Sequence, residues 1–270
     1  MAITTADAYY AAARQRLNIT KTASTATIAA QPFSVFALAG NPGAGTLAVG
    51  NTTTGVLFTD ATAGAPLLTN FGAGNTGYLS QAAFRANVAG GAILYDRIWG
   101  AGAVSMTALA TTSFSGQPSI TGRLPGGNQY AGLEIWIEIT TTVSATATTI
   151  NVTYTNEAGT AGRTTGATAS LSGFTTPRIV RMPLQAGDKG VQLIQSVTVG
   201  GTVATAGAFN VLLVRSLAEL DVRTVNGADV QGWDALGGPE VFDTSCLCVA
   251  TQADSTASQL FSLGFSIING

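Results

Sequence analysis

The sequence predicts an all-β fold, a β-sandwich or jelly-roll-like body with a short N-terminal helix and an extended N-terminal arm. Three observations support this prediction. Runs of β-branched and aromatic residues alternate with polar residues along most of the chain. Turn-forming Gly, Pro, Asn and Asp separate these runs at short intervals, which is typical of sandwiches rather than of alternating β-α units. Only one stretch, near the N-terminus, has a clear helical pattern.

The helix is predicted over residues 4–17. Thr4 and Asp7 have the spacing of a capping box, and alanines fill the body of the segment. Arg14 and Arg16 lie near its C-terminal end, where the helix dipole favours cations. A helix this short needs a surface to dock on, which is either this chain's own sandwich or a neighbouring subunit.

Residues 25–38 predict a strand or strand pair, interrupted near Pro32. We expect the aromatic and arginine side chains of this segment and of the helix to contact a neighbouring subunit. The expected interface residues are Tyr9, Tyr10, Arg14, Arg16, Phe33 and Phe36.

Residues 40–77 are rich in turns and lack clear periodicity, so they predict an extended arm or a loop laid over a neighbour. The chain is accordingly divided into a helix and arm at 1–77, a sandwich body at 78–218, and an acidic irregular segment with a closing strand at 219–270. Deletion of residues 1–25 is then expected to leave a folded body that no longer assembles.

Two hairpins are predicted in the body. The first joins strands at 78–88 and 92–99 through two glycines. The second spans residues 132–165, where apolar residues alternate with polar ones. Each of its two strands is therefore predicted to have one buried face, with Glu134, Trp136 and Glu138 on the opposite face.

Further strands are predicted at 177–184, 190–199 and 208–216, the last being central because it is nearly all apolar. Residues 217–255 predict irregular chain rich in carboxylates. Residues 258–269 predict a closing strand that pairs either within the sandwich or with another subunit.

Composition excludes several function classes. The chain of 270 residues has 12 basic and 14 acidic residues, 10% in all, and no histidine. Histidine is the commonest general base and metal ligand, so we expect no enzymatic activity and no cofactor. There is no basic stripe for nucleic acid and no apolar run that could span a membrane. So little charge favours a surface partly covered by neighbours, with a secreted Thr- and Ser-rich β-protein as the alternative.

Three possible chemical sites are weak. Cys246 and Cys248 predict small buried side chains, because a lone C-x-C is a poor zinc signal. The carboxylates between Asp221 and Asp243 are mostly spaced too widely for a calcium loop. Asp96 and Arg97 predict an ion pair at a strand end. We therefore expect no metal site.

Several blocks of this sequence carry a family resemblance. They are GNPGAG at 40–45, TDATAGA at 59–65, NFGAGNTGYL at 70–79, ILYDRIWGAG at 93–102, the segment 132–165 and MPLQAGDKGVQLIQSVTV at 182–199. Together they resemble virion structural proteins of tailed bacteriophages. The resemblance implies a particle component, found in the virion and made in the host cytoplasm. It implies no site residues.

Within that class, the predicted sandwich and arm fit a capsid cement or decoration protein. Such a protein would form a trimer, contact the major capsid protein and reinforce the shell through many copies. The alternative is a tail or neck protein that binds a host receptor or glycan. That function would need an exposed patch of aromatic residues and carboxylates, for example around Trp233.

Overall fold

The computed structural model describes residues 5–22, 28–73 and 75–270. It is an all-β fold with a short N-terminal helix, as predicted. The chain forms two compact units built from interleaved segments. Unit 1 takes the described residues of Met1–Gly45, Thr59–Asp96 and Leu217–Gly270, and unit 2 takes Thr46–Phe58 and Arg97–Ser216. The division at residues 77 and 218 stays a prediction about domains.

Among the described residues, the regular structure consists of two short helices, seventeen strands and two single 3-10 turns (Thr121–Arg123 and Pro125–Gly127). In chain order the elements are α1 (Ala6–Ala11), β1 (Ala13–Lys21), β2 (Gln31–Ser34), β3 (Gly40–Asn41), β4 (Asn51–Leu57), β5 (Gly77–Ala86), β6 (Gly90–Ser105), β7 (Thr111–Ser113), β8 (Leu133–Thr141), β9 (Thr148–Asn156), β10 (Arg163–Thr164), β11 (Ile179–Met182), β12 (Val191–Gly201), β13 (Ala208–Val222), β14 (Ala228–Gly232), α2 (Trp233–Leu236), β15 (Glu240–Val241), β16 (Leu247–Ala253) and β17 (Phe261–Asn269).

The N-terminal helix is shorter than predicted. The hydroxyl of Thr5 caps it by accepting a hydrogen bond from the backbone N–H of Ala8 at 3.1 Å. Thr4, the predicted cap, lies outside the described residues. The helix gives way to β1, which pairs with β17, so Arg14 and Arg16 lie on a strand.

The apolar alternation of β1 explains why the helix prediction fails beyond Ala11. Leu17 packs against the core of unit 1 and Ile19 is 2% exposed, so pairing with β17 buries one face of the segment. Deletion of residues 1–25 would remove this strand, so the remaining body is no longer expected to fold.

Unit 1 contains a sheet with the order β14-β5-β17-β1-β3, with β15 also paired to β5. Its other paired strands are β2, β16 and the first part of β6. Apolar side chains from both groups, such as Phe84, Leu263 and Val249, form one core. Leu68 and Phe71 belong to that core, so part of the predicted arm packs on its own chain.

Unit 2 is a sandwich. One sheet has the order β10-β9-β12-β7, and the other contains β11, β8, the first part of β13, the later part of β6, and β4. Strand β13 lies between β8 and β6, so its prediction as a central strand is confirmed. Apolar residues of β8 and β9, such as Ile137 and Val152, meet in a single core.

Both predicted hairpins are wrong, although their strands are present. Strands β8 and β9 belong to different sheets and face each other across the core of unit 2. Strands β5 and β6 likewise pair with β17 and β16 instead of with each other. Alternation reports which face of a strand is buried, whereas the pairing partner depends on packing between distant segments. The outward face of β8 is buried too, since Trp136 and Glu138 are both 0% exposed.

The C-terminal region is more regular than predicted. Residues 217–255 include the end of β13, β14, α2 and β16. Strand β16 was missed because its sequence, LCVATQA, lacks a period of two: six of its seven residues are buried. The closing strand β17 pairs within unit 1, with β1 and β5.

Candidate functional site

The outward side of the unit 1 sheet is the candidate site, and strand register defines it. Arg16 lies opposite Ser266, Ser266 lies opposite Gln81, and Gln81 lies opposite Gly232. Side chains two residues apart on a strand share a face, so every second residue from these positions lies on the same surface. We call this surface the outer face. Its strand residues are Arg14, Arg16, Asn18, Thr20, Ser262, Gly264, Ser266, Ile268, Tyr78, Gln81, Ala83, Arg85, Ala228, Val230 and Gly232.

The charges on these strand positions are all positive. Arg14, Arg16 and Arg85 are exposed, and no Asp or Glu shares the face on these four strands. None of the three arginines has an ion pair or hydrogen bond within the part of the chain that the structure describes. Their charge is therefore available to a partner, with a preference for anionic or aromatic groups.

One end of the outer face carries an aromatic cluster, formed by Tyr9, Tyr10, Tyr78 and Trp233. The Trp233 ring centroid lies 5.5 Å from that of Tyr9 and 6.0 Å from that of Tyr78. Tyr9 and Tyr10 meet edge to face at 5.4 Å. Edge contacts of this kind are favourable because the positive ring edge meets the negative ring face. Arg14 extends the cluster, with its guanidinium carbon 5.2 Å from the Tyr9 ring centroid.

The middle of the outer face is flat and open. A Cβ atom placed on Gly264 would meet only the carbonyl oxygen of Leu17, at 4.0 Å, and one on Gly232 would meet nothing within 4 Å. Ala83 and the 56% exposed Val230 lie between these positions. A partner with a flat surface could approach the backbone closely here.

The other end of the outer face is concave. A cavity of about 780 Å³ lies at the ends of β1, β5 and β17 and at the turn before β14. Arg85, Thr20, Ser262 and Asn226 line it. We call it the Arg85 cavity. Its lining contains two cations, Arg85 and Lys21, and no carboxylate.

Lys21 is a structural cation in this cavity. It is 3% exposed, and its ammonium donates hydrogen bonds to the carbonyl oxygens of Pro42, at 2.9 Å, and Gly43, at 3.3 Å. Burial lowers the pKa of its amine. Lys21 therefore holds the turn after β3, which leaves Arg85 as the charge that faces solvent.

The structure brings four of the six predicted interface residues together. Tyr9 and Tyr10 lie in the aromatic cluster, and Arg14 and Arg16 point outward on β1. Phe33 and Phe36 are 0% and 2% exposed inside unit 1, and as contacts with another chain they stay a prediction. Tyr10 is the most exposed of the set, at 79%.

Sequence reasoning missed Tyr78 and Arg85, and it assigned Trp233 to a different surface. No local signal identifies these residues, because they join the face through the register of β5 with β17. The one available hint was the alternation on β5 itself, which points Arg85 away from the buried Phe84.

Unit 2 contains a second group of charges, which is fully internal. Both amino groups of the Arg97 guanidinium donate to the carboxylate of Glu138, each at 2.9 Å, and both residues are 0% exposed. Asn210 donates to the same carboxylate at 2.9 Å, and the Phe58 ring lies 4.4 Å from the guanidinium carbon. The two charges compensate each other inside the chain, so the group acts as a structural clamp.

Asp96 and Arg97, predicted as an ion pair at a strand end, lie inside β6 and bind other partners. Successive residues of a strand point to opposite faces, so the two side chains cannot meet within β6. In unit 1, Asp96 accepts hydrogen bonds from the hydroxyl of Ser245 at 2.8 Å and from the backbone N–H of Cys246 at 2.9 Å.

A third polar group surrounds Asp188 in unit 2. Its carboxylate accepts hydrogen bonds from Arg163 at 2.9 Å, Tyr154 at 2.6 Å and Asn156 at 2.8 Å. The Arg163 guanidinium, followed by the other two donors, holds the pKa of the Asp188 carboxyl well below its usual range. Burial and the bond to Asp188 raise the pKa of Tyr154 to about 12. The group fixes the turn before β12 to β9 and β10.

The remaining candidates from the sequence are the two cysteines and the acidic residues. Cys246 and Cys248 form no disulfide and are buried with sulfur atoms 3.8 Å apart, so the prediction of small buried side chains is confirmed. Within the described ranges, no group of three or more acidic or cysteine side chains is placed to hold a metal ion. Among those same residues, no helix has the length and apolar character needed to cross a bilayer.

Comparison with known proteins leaves the family open. No protein-family model matches the chain, and no curated protein matches it. Solved structures of infectious bursal disease virus particles align with most of the length of this chain. Its VP2 subviral particle is 11% identical, covering 96% of this chain and 81% of that one, with a TM-score of 0.20. Its T=1 particle is 10% identical, covering 95% and 78%, with a TM-score of 0.18. Similarity this low supports no conclusion about fold or function.

Proposed function

We propose that this protein is a non-enzymatic structural component of a virus particle, a capsid cement or decoration protein that docks through the aromatic cluster. The exposed position of Tyr10 against Tyr9, whose ring also meets Trp233 and Arg14, is the observation that carries the proposal. Tyrosine, tryptophan and arginine are the residues enriched at the energetic centres of protein interfaces. An aromatic side chain that is 79% exposed gains most from burial by a partner.

The proposed neighbours are further copies of this chain, arranged as a trimer, and the major capsid protein. Arg14 and Arg16 have no carboxylate partner among the described residues, which supports a neighbour that supplies carboxylates or aromatic rings. The resemblance of the sequence to virion proteins of tailed bacteriophages supports a particle as the setting. Many weak contacts in a symmetric array would then add up to stable attachment.

Occupancy of purified virions tests the proposal. We expect the double variant Tyr10→Ala and Trp233→Ala to fold and to be present in fewer copies per particle than the unmodified protein, as measured by quantitative mass spectrometry. Leu109→Ala is the matched control, because Leu109 is a 53% exposed apolar residue of unit 2. Full occupancy by the double variant would exclude the aromatic cluster as the docking surface.

The second candidate function is a tail or neck protein that binds a host receptor or glycan. The contact of Trp233 with Tyr78 and Tyr9 favours it, because a surface of several aromatic rings also suits a sugar. Labelling of intact virions separates the two functions. Signal over the head supports the cement protein, whereas signal confined to the tail or neck supports the adhesin.

A further inference from the structure

The Arg85 cavity lies at the opposite end of the outer face from the aromatic cluster. On β1, Arg14 marks the aromatic end and Thr20 the cavity end, about 20 Å apart at the usual rise of a strand. The cavity is therefore a separate site, and the proposed docking role does not use it. The cavity is largely open to solvent and, at about 780 Å³, is wide enough for a sugar ring to rest in it.

Charge identifies the class of ligand. The chain has more acidic than basic residues, 14 against 12, yet the cavity lining has two cations and no carboxylate. The carbonyl oxygens of Pro42 and Gly43 already occupy the ammonium of Lys21. Arg85 is exposed and has no partner in the described part of the chain, so its guanidinium is the group left for an anion. A planar guanidinium matches the two oxygens of a carboxylate best.

The groups around Arg85 suit a polyhydroxylated molecule. Thr20, Ser262 and Asn226 bring hydroxyl and amide groups to the lining. Thr20 donates a hydrogen bond of 3.3 Å to Ser262, and both hydroxyls also bond to the amide of Asn18, at 2.7 and 3.0 Å, which holds them in position. Each hydroxyl oxygen keeps one lone pair that can accept a hydrogen bond from a ring hydroxyl of the ligand. The amide of Asn226 has no side-chain hydrogen bond in the described part of the chain. The 45% exposed Leu260 adds an apolar wall that the C–H face of a sugar ring can cover.

We propose that the Arg85 cavity binds a carboxylated saccharide. Arg85 pairs with the carboxylate of the sugar through two parallel N–H donors, and the hydroxyl and amide groups bind its ring hydroxyls. An uncharged sugar cannot form this charge-assisted pair with the guanidinium, so the site favours the carboxylated one. A simple anion would fill the Arg85 position alone and would not contact the amide of Asn226 or the remaining acceptor lone pairs of Thr20 and Ser262.

Calorimetric titration of the full chain with defined oligosaccharides tests this proposal. The probes carry glucuronate, galacturonate or sialate, and each is compared with its uncharged counterpart. We expect at least one carboxylated probe to bind and its counterpart to bind at least about tenfold more weakly. Arg85→Ala should weaken binding of the carboxylated probe by at least about tenfold, and Arg85→Lys should weaken it less. Arg16→Ala is the matched control and should bind normally, since Arg16 is an exposed outer-face cation outside the cavity.

Three outcomes would overturn the proposal. The first is the absence of millimolar binding by every carboxylated probe. The second is equal binding by the unmodified protein and Arg85→Ala. The third is equal affinity for inorganic phosphate or for a glutamate oligomer, which would define a general anion site. None of these outcomes bears on docking, because Arg85→Ala should leave virion occupancy unchanged whereas the Tyr10 and Trp233 variant should lower it.

Discussion

Unit 1 and unit 2 use their few charges in opposite ways. In unit 2, Arg97 holds Glu138 and Arg163 holds Asp188, each at 2.9 Å and with both carboxylates nearly or fully inaccessible to solvent. On the outer face of unit 1, three exposed arginines have no carboxylate partner among the described residues. The first arrangement contributes to folding, and the second leaves charge for an external partner.

This difference is informative because the chain has so little charge, 10% of its residues. A buried arginine must have a partner, since an uncompensated charge in the interior costs several kcal/mol. An exposed arginine needs none, and a pair it made at the surface would contribute only about 0–1 kcal/mol. Arginines kept without a folding role are therefore the ones to examine for binding.

Breaking the buried pair should have the largest effect. Glu138→Gln removes the charge that compensates Arg97 while keeping the shape of the side chain, so we expect the free energy of unfolding to fall by about 3–5 kcal/mol. Denaturant unfolding measures the change. The control is Asp221→Asn, whose carboxylate is 57% exposed and pairs with Arg223, and it should cost no more than about 1 kcal/mol. Equal losses in the two variants would mean that ion pairs contribute equally to the free energy of unfolding in the two units.

The Asp188 group should make stability depend on acid. Its donors hold the pKa of the Asp188 carboxyl below the usual value of 3.8, so the unfolded chain binds this proton more readily than the folded chain does. The stabilisation is present above that usual value and is lost as the pH falls through the lowered pKa. Unfolding measured from about pH 5 to about pH 2 should show a steeper loss for the unmodified protein than for Asp188→Asn. Parallel curves would contradict the lowered pKa of the Asp188 carboxyl.

Tyr154 should give a smaller dependence at high pH. Its pKa is raised from 10.0 to about 12, so the folded chain keeps the phenolic proton longer than the unfolded chain does. The resulting stabilisation is complete below pH 10 and is lost as the pH rises towards the folded-state pKa. Tyr154→Phe should flatten this part of the curve and cost about 1 kcal/mol at neutral pH through the lost hydrogen bond to Asp188. An unchanged alkaline slope in this variant would place the titrating group elsewhere.

Much of the fold was predictable from local sequence, because burial of one strand face leaves a period of two. Strands β8, β9 and β17 were located this way, and β13 was located by its nearly all-apolar sequence. Pairing was not predictable, since β1 finds its partner β17 at the far end of the chain. The short loop between β8 and β9 suggested a hairpin. The apolar faces of both strands are buried equally well when they pack against each other across a sandwich core.

The candidate site shows the same limit. The composition of the N-terminal segment was enough to select Tyr9, Tyr10, Arg14 and Arg16. Arg85 joins them only because β17 pairs with both β1 and β5, a relation that no local pattern contains. Phe33 was selected for the same chemical reason as Tyr10 yet is fully buried, because sequence does not report which aromatic side chains the core takes up.

The smallest expected effect is the one that best tests the contrast between the units. Arg16→Ala and Arg85→Ala should each change the free energy of unfolding by less than about 0.5 kcal/mol, because neither guanidinium has a partner in the described chain. Thermal unfolding followed by circular dichroism measures both variants against the unmodified protein. A loss above about 1 kcal/mol would show that the arginine stabilises the fold and is not simply available to a partner. A negligible loss leaves binding as the property in which these two arginines differ from Arg97.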